Sequence, residues 1–511
     1  MPRSAEKIAE IFAVDARSLE FFRRALGVLV ATDVLLRRSE GFRFHGASGL
    51  VDASYRAWQW LAPPWPLSLP SWLADSSAAE TTAIFAILIA SGMMIAGWLP
   101  RLATLAAWVL LSAQQDAAPL LNYGADHLLR LFLLWSLFLP GPKQAHAKTV
   151  GSVATAALII QTAMPYIFAG IYKWNDTWLS GAGLELSLAL DTYTRPLAAN
   201  LRELPALLSI ASRLFPAFEI AAGIGLLLPM AGGRIREACA LLLAAFHLGA
   251  ALVLHTGLFP LVSLAGLVLF VPSRGWDALK QRLPMRLSKD APSAGPEPGK
   301  QPPGLSVLRE GICGALLLIM IAWNLAGLGV WEYAREHHPE WTRQHKADQG
   351  NRAPIIDSAE ATSRRLGLPG QIGSMARLHQ RWDMFAVVGK TSGGWPELEG
   401  KTASGRRIDL VEWRALTADR TPPVTVAYPG TRWRTMTTSM RPRGRQPLRC
   451  RLALTRARQW NRNHPDDPIV EVSFGFVEPN AKQPDGFRTR RWITLDADDL
   501  SPDSGACPGP S

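Results

Sequence analysis

The densest group of chemically capable side chains lies in Tyr166-Ile-Phe-Ala-Gly-Ile-Tyr-Lys173-Trp-Asn-Asp-Thr-Trp178, where an apolar run ends on a lysine flanked by aromatic rings. Desolvation penalises the charged form of an amine, so a lysine in this place can serve as a general base. The bland alternative is a lysine that keeps its ammonium in water while its stem lies in an interfacial aromatic belt. His127 stands beside Asp126 and one turn before Arg130 at the start of another apolar run, and His247 lies inside a third, in Ala-Ala-Phe-His. Either histidine alone reads equally as a hydrogen-bonded packing residue. His127 and Lys173 lie at the same predicted end of their segments, and His247 and His255 belong to a segment running towards that end, so a cluster of the four is geometrically open to them. Glu219 in Phe218-Glu-Ile needs a partner inside its apolar run, with Arg213 or Lys173 as candidates; bracing is the plainer role for it, since an unpaired carboxylate in lipid would protonate. Glu185 is a further acidic residue in this region, and Asn175-Asp-Thr matches a glycosylation sequon that its place beside an apolar run argues against.

These residues need elements to hold them, and the elements are apolar. A spanning helix takes about 20 mostly apolar residues. Runs near 22–37, 80–98, 101–118, 126–140, 151–171, 214–231, 236–254, 256–273 and 308–330 predict about nine spans. Leu201–Ile210 is partly apolar, too short to cross, and reads as a re-entrant or interfacial piece. If the spans alternate, Arg17, Arg23, Arg24, Arg101, Lys143, Lys148, Arg234 and Arg236 fall on one side, together with the basic residues of 274–307. The positive-inside rule then places the N-terminus in the cytoplasm and the C-terminal part outside. That orientation puts Lys173 and His127 near the outer leaflet.

The net charge of +12 over 511 residues does not indicate nucleic acid, because the basic residues of the first half sit in short connections between apolar runs. Arg441, Arg443, Arg445, Arg449 and Arg451 form a close-set basic run that reads first as a solvated face. Of the four cysteines, Cys239 and Cys313 fall in apolar runs and should pack as small hydrophobes, whereas Cys450 and Cys507 could pair in an oxidising compartment. The first apolar run starts late and lacks a small-residue cleavage site, so it reads as an uncleaved signal anchor. No Walker A loop, GxSxG elbow, HExxH or dinucleotide fingerprint is present, and His337-His338 reads as a solvated pair. Nothing points to a nucleotide or a metal. Beyond the last span, residues 336–382 look helical in patches. Asp383–Val388, Val424–Tyr428, Ile469–Phe476 and Trp492–Leu495 read as strands, with a helix near 449–462.

Several separated pieces, in this order along the chain, resemble the membrane part of vitamin K-dependent gamma-carboxylases. They are Arg24-Ala-Leu-Gly, Ala-Asp-His127, the Tyr166–Trp178 segment, Phe218-Glu219, and Phe246-His247 followed by Gly257-Leu-Phe-Pro. Bacterial relatives of that enzyme are grouped as HTTM (horizontally transferred transmembrane) domain proteins. The resemblance covers about 20–275, and Trp382-Asp-Met-Phe385 looks like the start of the outer domain of bacterial members. It implies that Lys173 matches the base that deprotonates a reduced quinone, a vitamin K or menaquinone type of cofactor. It also implies that His127 and His247 match active-site histidines. An extracytoplasmic protein substrate would follow, although the outer part here is short for gripping one, and carboxylation does not follow from the resemblance.

The expected architecture is an α-helical polytopic membrane protein with a C-terminal soluble, strand-rich α+β domain. Its expected divisions are a carboxylase-like membrane domain at 1–275, a disordered cytoplasmic linker at 276–307, a final span at 308–330 and an extracytoplasmic domain at 331–511. The expected setting is the cell inner membrane, with lipid and a lipid-soluble quinone as partners and no nucleic acid. The expected function is an enzyme with a lysine base acting on a quinone-like or other lipid-soluble substrate. A non-catalytic anchor presenting an outer binding domain is the alternative. A transporter is less favoured, because no paired, interrupted helices show repeat symmetry.

Overall fold

In a computed structural model of the protein the apolar runs are helices that share one hydrophobic core, and a small antiparallel sheet follows them. The structure describes residues 11–39, 77–117, 121–140, 148–190, 193–230, 233–282, 303–337, 363, 365–380, 382–386, 395–411, 413–416, 430–439, 446–479, 487–500 and 507. Strand β1 (Val14–Asp15) leads into helix α1 (Ala16–Ser39), and α2 (Ser77–Ala96), α3 (Pro100–Ala117) and α4 (Gly124–Leu137) follow. Strand β2 (Thr149–Val150) pairs antiparallel with β1 and precedes α5 (Val153–Tyr172). Short helices α6 (Asp176–Leu179), α7 (Gly183–Leu188) and α8 (Leu197–Arg202) lead to α9 (Pro205–Leu227), α10 (Arg234–Val253), α11 (Phe259–Leu267), α12 (Ser273–Arg282) and α13 (Pro303–His337).

Helix α5 is the central element. Ser152 starts it with a capping box, its Oγ accepting from the Thr155 N–H while Thr155 Oγ1 accepts from the Ser152 N–H. Pro165 inside the helix offers no N–H to the Gln161 carbonyl one turn before it. Glycines let α9 come close. A Cβ on Gly170 would stand 2.6 Å from the Pro216 carbonyl oxygen, and one on Gly223 would stand 2.7 Å from Ile167 Cγ1. Small residues at such a crossing allow backbones to approach where lipid supplies no hydrophobic drive.

Among the described residues four helices are long and apolar enough to cross a membrane: α5, α9, α10 and the Val307–Leu328 part of α13. A fifth arises if Phe259–Phe270 and Ser273–Arg282, bent by 105°, count as one broken span. The expected nine are not reached on length and composition. The reason is physical: α1 carries seven charged side chains and α4 has only 14 residues, while the apolar Thr81–Ala96 part of α2 is also short. The faces that α10 turns outward are leucines, with Leu241 73% and Leu252 64% exposed. An apolar stripe of this kind on a helix is what a bilayer covers. Leu201–Ile210 is not a separate piece: α8 ends at Arg202 and α9 runs on from Pro205.

After α13 come α14 (Leu368–Met375) and then β3 (Trp395–Thr402), β4 (Arg407–Asp409), β5 (Arg414–Ala415), α15 (Thr431–Ser439), α16 (Gln446–Asn463), β6 (Ile469–Pro479) and β7 (Phe487–Leu495). The strands form one antiparallel sheet in the order β5-β4-β3-β6-β7. Helix α16 packs on β6 and β7, burying Leu398, Ile408, Val472, Phe474, Ala453, Ala457 and Trp460 in a second core. Arg456 of α16 lies over the Trp413 and Trp433 rings at 3.9 and 4.7 Å and donates to the Leu410 and Val411 carbonyls. Burial pulls its guanidinium down to about 10. Cys450 and Cys507 are joined, while Cys239 and Cys313 are free.

Several expectations change here. Residues 382–386 are not a strand; they turn back against the helices. The linker at 276–307 is helical at both ends, in α12 and the first turn of α13. Its middle, Val387–Val388, Val424–Tyr428, Arg441–Arg445 and His338 lie outside the described residues. Arg449 is buried, so the basic run is not one solvated face.

Four buried charges tie α15 to the helices. Arg37 of α1 donates to Asp33 at 2.8 Å and to Asp126 at 2.5 Å. Arg432 donates to Asp33, to Asp126 at 2.9 Å and to the Leu121 carbonyl at 3.1 Å. Among the described residues two carboxylates face two guanidiniums, all at most 3% exposed, and their charges balance.

Candidate active site

Lys173 is the C-cap of α5, one turn beyond the Gly170 crossing. The close approach brings Glu219 of α9 to it. Lys173 Nζ donates to Glu219 Oε2 at 2.9 Å and Oε1 at 3.1 Å, with both side chains buried. The rings of Trp178 and Phe215 stand 5.5 and 5.6 Å from the same nitrogen. Of the two partners open to Glu219, the structure chooses Lys173; Arg213 donates instead to the Ser180 carbonyl.

His247 is buried in α10, its Nε2 2.8 Å from the Tyr166 hydroxyl and its ring against Phe246 and Phe259. His127 sits on the first turn of α4. Arg130 Nη2 lies 3.2 Å from His127 Nδ1 and 3.3 Å from Nε2 of His379. A guanidinium only donates, so both ring nitrogens accept. A neutral His127 then carries its proton on Nε2, which makes it a hydrogen-bond donor rather than a base. Burial, with Arg130 and Arg377 nearby, holds the His379 imidazole well below its usual range. Arg377 is itself anchored by Asp116 at 2.5 Å.

Lys173, Glu219, Tyr166, His247, His127 and His379 all line one cavity of about 480 Å³. The rest of its wall is mostly apolar or aromatic, including Tyr172, Phe215, Phe246, Phe259, Trp323 and Phe385. A few convergent polar groups in an apolar chamber of this size are the usual form of a small-molecule site. His255 is not in the wall; its backbone N–H donates to the Tyr193 carbonyl beside it. Glu185 is exposed and likewise outside the wall.

The sequence reading missed the contribution of 376–386. Gln380 Oε1 accepts from Gln161 Nε2 at 2.8 Å and from Trp382 Nε1 at 2.9 Å, and Gln161 Oε1 accepts from Trp135 Nε1. The Phe385 carbonyl accepts from Trp178 Nε1 at 3.0 Å, and the Ala386 carbonyl from Asn175 Nδ2 at 2.8 Å. Gln161 was the available signal, a carboxamide in the middle of a span that must find a partner. Asn175 also bonds the Tyr172 carbonyl through Nδ2, so its amide is engaged in the fold rather than free as a sequon.

No curated protein and no solved structure matches the chain. Lys173, Glu219 and His247 lie within the stretch that a family model does match, whereas His127 and His379 lie outside it. Residues 132–276 match the HTTM domain family.

Proposed function

We propose that the protein is a membrane enzyme in which Lys173 is the general base toward a hydroxyl-bearing, lipid-soluble substrate of the quinol class, in a cell inner membrane with the site at the outer leaflet. The observation that carries this reading is the convergence of Lys173, Glu219, His127 and His247 on one largely apolar cavity. A flat ring fits the chamber's volume and aromatic walls. A reduced quinone of vitamin K or menaquinone type would supply an acidic O–H and a ring that oxygen can oxidise. The disulfide between Cys450 and Cys507 supports an oxidising compartment for the C-terminal part.

The residues divide the work. Burial of both groups makes charge separation between them costly, which favours proton exchange within the pair over a lasting pair of ions. Glu219 takes the ammonium proton and leaves Lys173 as a neutral amine. Lys173 then accepts the substrate's hydroxyl proton and becomes an ammonium again, facing the oxyanion it has made. His127 Nε2–H is a second donor in the same cavity, and Tyr166 fixes the His247 ring. The apolar wall excludes water that would otherwise reprotonate the product. Neither carboxylation nor a protein substrate is part of this proposal. An anchor that merely presents an outer domain would need no shared cavity and no inward segment at 376–386.

The test is oxygen uptake by protein in nanodiscs supplied with reduced menaquinone, comparing wild type with Lys173→Ala and Glu219→Gln. The expected result is turnover by wild type and a loss of about a hundredfold or more in Lys173→Ala, the scale of general base catalysis. Equal rates in wild type and a folded Lys173→Ala variant would remove the lysine from the chemistry.

A further inference from the structure

At the opposite end of α5 from Lys173, three arginines from three helices meet. Arg23 of α1 donates through Nη2 to the Pro140 carbonyl at 2.8 Å, and Arg101 of α3 donates through Nη2 to the adjacent Leu139 carbonyl at 3.0 Å. Consecutive carbonyls therefore set the two guanidiniums side by side. Arg309 of α13 is the third, within interaction range of Arg101. Its Nη2 donates to Glu310 Oε1 at 2.9 Å, but Glu310 also accepts the Val153 N–H that begins α5. Glu20, the other carboxylate near Arg23, pairs with Arg24.

Arg101 Nε and Arg309 Nε and Nη1 are buried and have no hydrogen-bond partner among the described residues. A guanidinium does not escape such burial by losing its proton, and an unsatisfied buried donor is costly. Three cations held together with spare donors are stable when an anion with several acceptor oxygens sits among them, which is the geometry of Arg recognition of phosphate. The flanks are apolar and uncovered: Leu102 and Leu105 of α3, and Val307, Leu308 and Ile312 of α13, are all at least 44% exposed. An anion that enters here lies beside surface suited to acyl chains.

We propose that Arg23, Arg101 and Arg309 form a binding site for a phosphate ester, supplied by the headgroup of an anionic phospholipid whose chains lie along α3 and α13. Basic pockets between membrane helices bind such headgroups by this chemistry. The site is independent of the Lys173 cavity and of any reaction there.

The experiment uses the full chain purified in a neutral detergent. Thermal unfolding is followed while phosphatidylglycerol, phosphatidylcholine or inorganic phosphate is added. Wild type is compared with an Arg101→Gln/Arg309→Gln double variant and with Arg202→Gln, an exposed control on α8. Phosphatidylglycerol should raise the wild-type and control midpoints by several degrees where phosphatidylcholine does not. The double variant should need at least tenfold more of it for the same shift. Without added lipid the double variant should melt no lower than wild type, because its loss relieves repulsion. Protection by phosphate alone, lost in the double variant, would support the same site with a soluble phosphate as its source. Equal protection of wild type and double variant, or no protection by either anion, overturns the proposal. Should the double variant not fold, mass spectrometry of co-purified phospholipid in Arg309→Lys decides: the flat fork lost and anionic lipid retained at the wild-type level would also overturn it.

Discussion

Lys173 and Glu219 form a buried pair, and the physics of such pairs separates their stability from their chemistry. Removing one partner strands the other, which costs about 3–5 kcal/mol, whereas replacing both with apolar groups is often neutral. Glu219→Leu should therefore lower the unfolding midpoint in detergent sharply, and Lys173→Met/Glu219→Leu should recover most of the loss while remaining inactive. A double variant as unstable as the single one would mean that the pair is held by more than its own charges. His379 gives a pH prediction. Its folded imidazole titrates well below the ordinary value of 6.5, so on acidification the unfolded chain takes the proton first. The stability it contributes is full above pH 6.5 and falls as pH drops below that value. Unfolding midpoints measured from pH 7.5 downward should show this slope, and His379→Gln should flatten it. Lys173, His127 and His247 could be singled out from residue type and neighbours, whereas the partner of Glu219 stayed open between Lys173 and Arg213 until the helix crossing was seen. His379 and Gln380 could not, because they reach the cavity from beyond α13 and nothing local marks them as inward-facing.

At the scale of elements, the crossing of α5 and α9 decides whether the pair exists at all. Gly170 faces the Pro216 carbonyl and Ile220, with no room for a Cβ against backbone. Gly170→Val should force the helices apart, at about 1–3 kcal/mol for overpacking, and pull Glu219 from Lys173. Loss of turnover with an unfolding midpoint lowered by no more than that range is the expected outcome; unchanged turnover would show that the crossing does not set the site. Apolar runs located these helices well, because a run long enough to span is a strong signal. The number of spans was harder to read. Charges in α1 serve the internal Asp33–Arg37 pair, and the 14 residues of α4 carry Asp126 and Arg130 to buried partners, so local composition understates or overstates each crossing. The 383–388 run looked like a strand because it is a short, unbroken apolar run after Asp383. Its residues Met384 and Phe385 instead line the cavity from a turn, a use of apolar side chains that an apolar run alone does not distinguish.

At the scale of the molecule, the C-terminal part is docked into the helices rather than hung from them, and Arg432 is the anchor most open to test. It joins α15 to Asp33 and Asp126, and the same part sends Gln380 and His379 into the cavity. Arg432→Leu takes one of the two guanidiniums from the two carboxylates and shifts the buried cluster towards net negative charge. Breaking a buried pair in this way costs about 3–5 kcal/mol, enough to open the interface locally without unfolding the spans. Hydrogen exchange on the variant in detergent should therefore quicken at 376–386 and 432–436 while α5 and α9 stay protected. Turnover should fall with it, because the cavity would lose one wall. Adding Asp33→Asn should restore charge balance and part of the protection. Uniformly faster exchange across α5 and α15 would instead place Arg432 in the global stability of the fold, and protection unchanged at 376–386 would mean that the inward segment is held by Gln161 and Asp116 without the help of the outer domain.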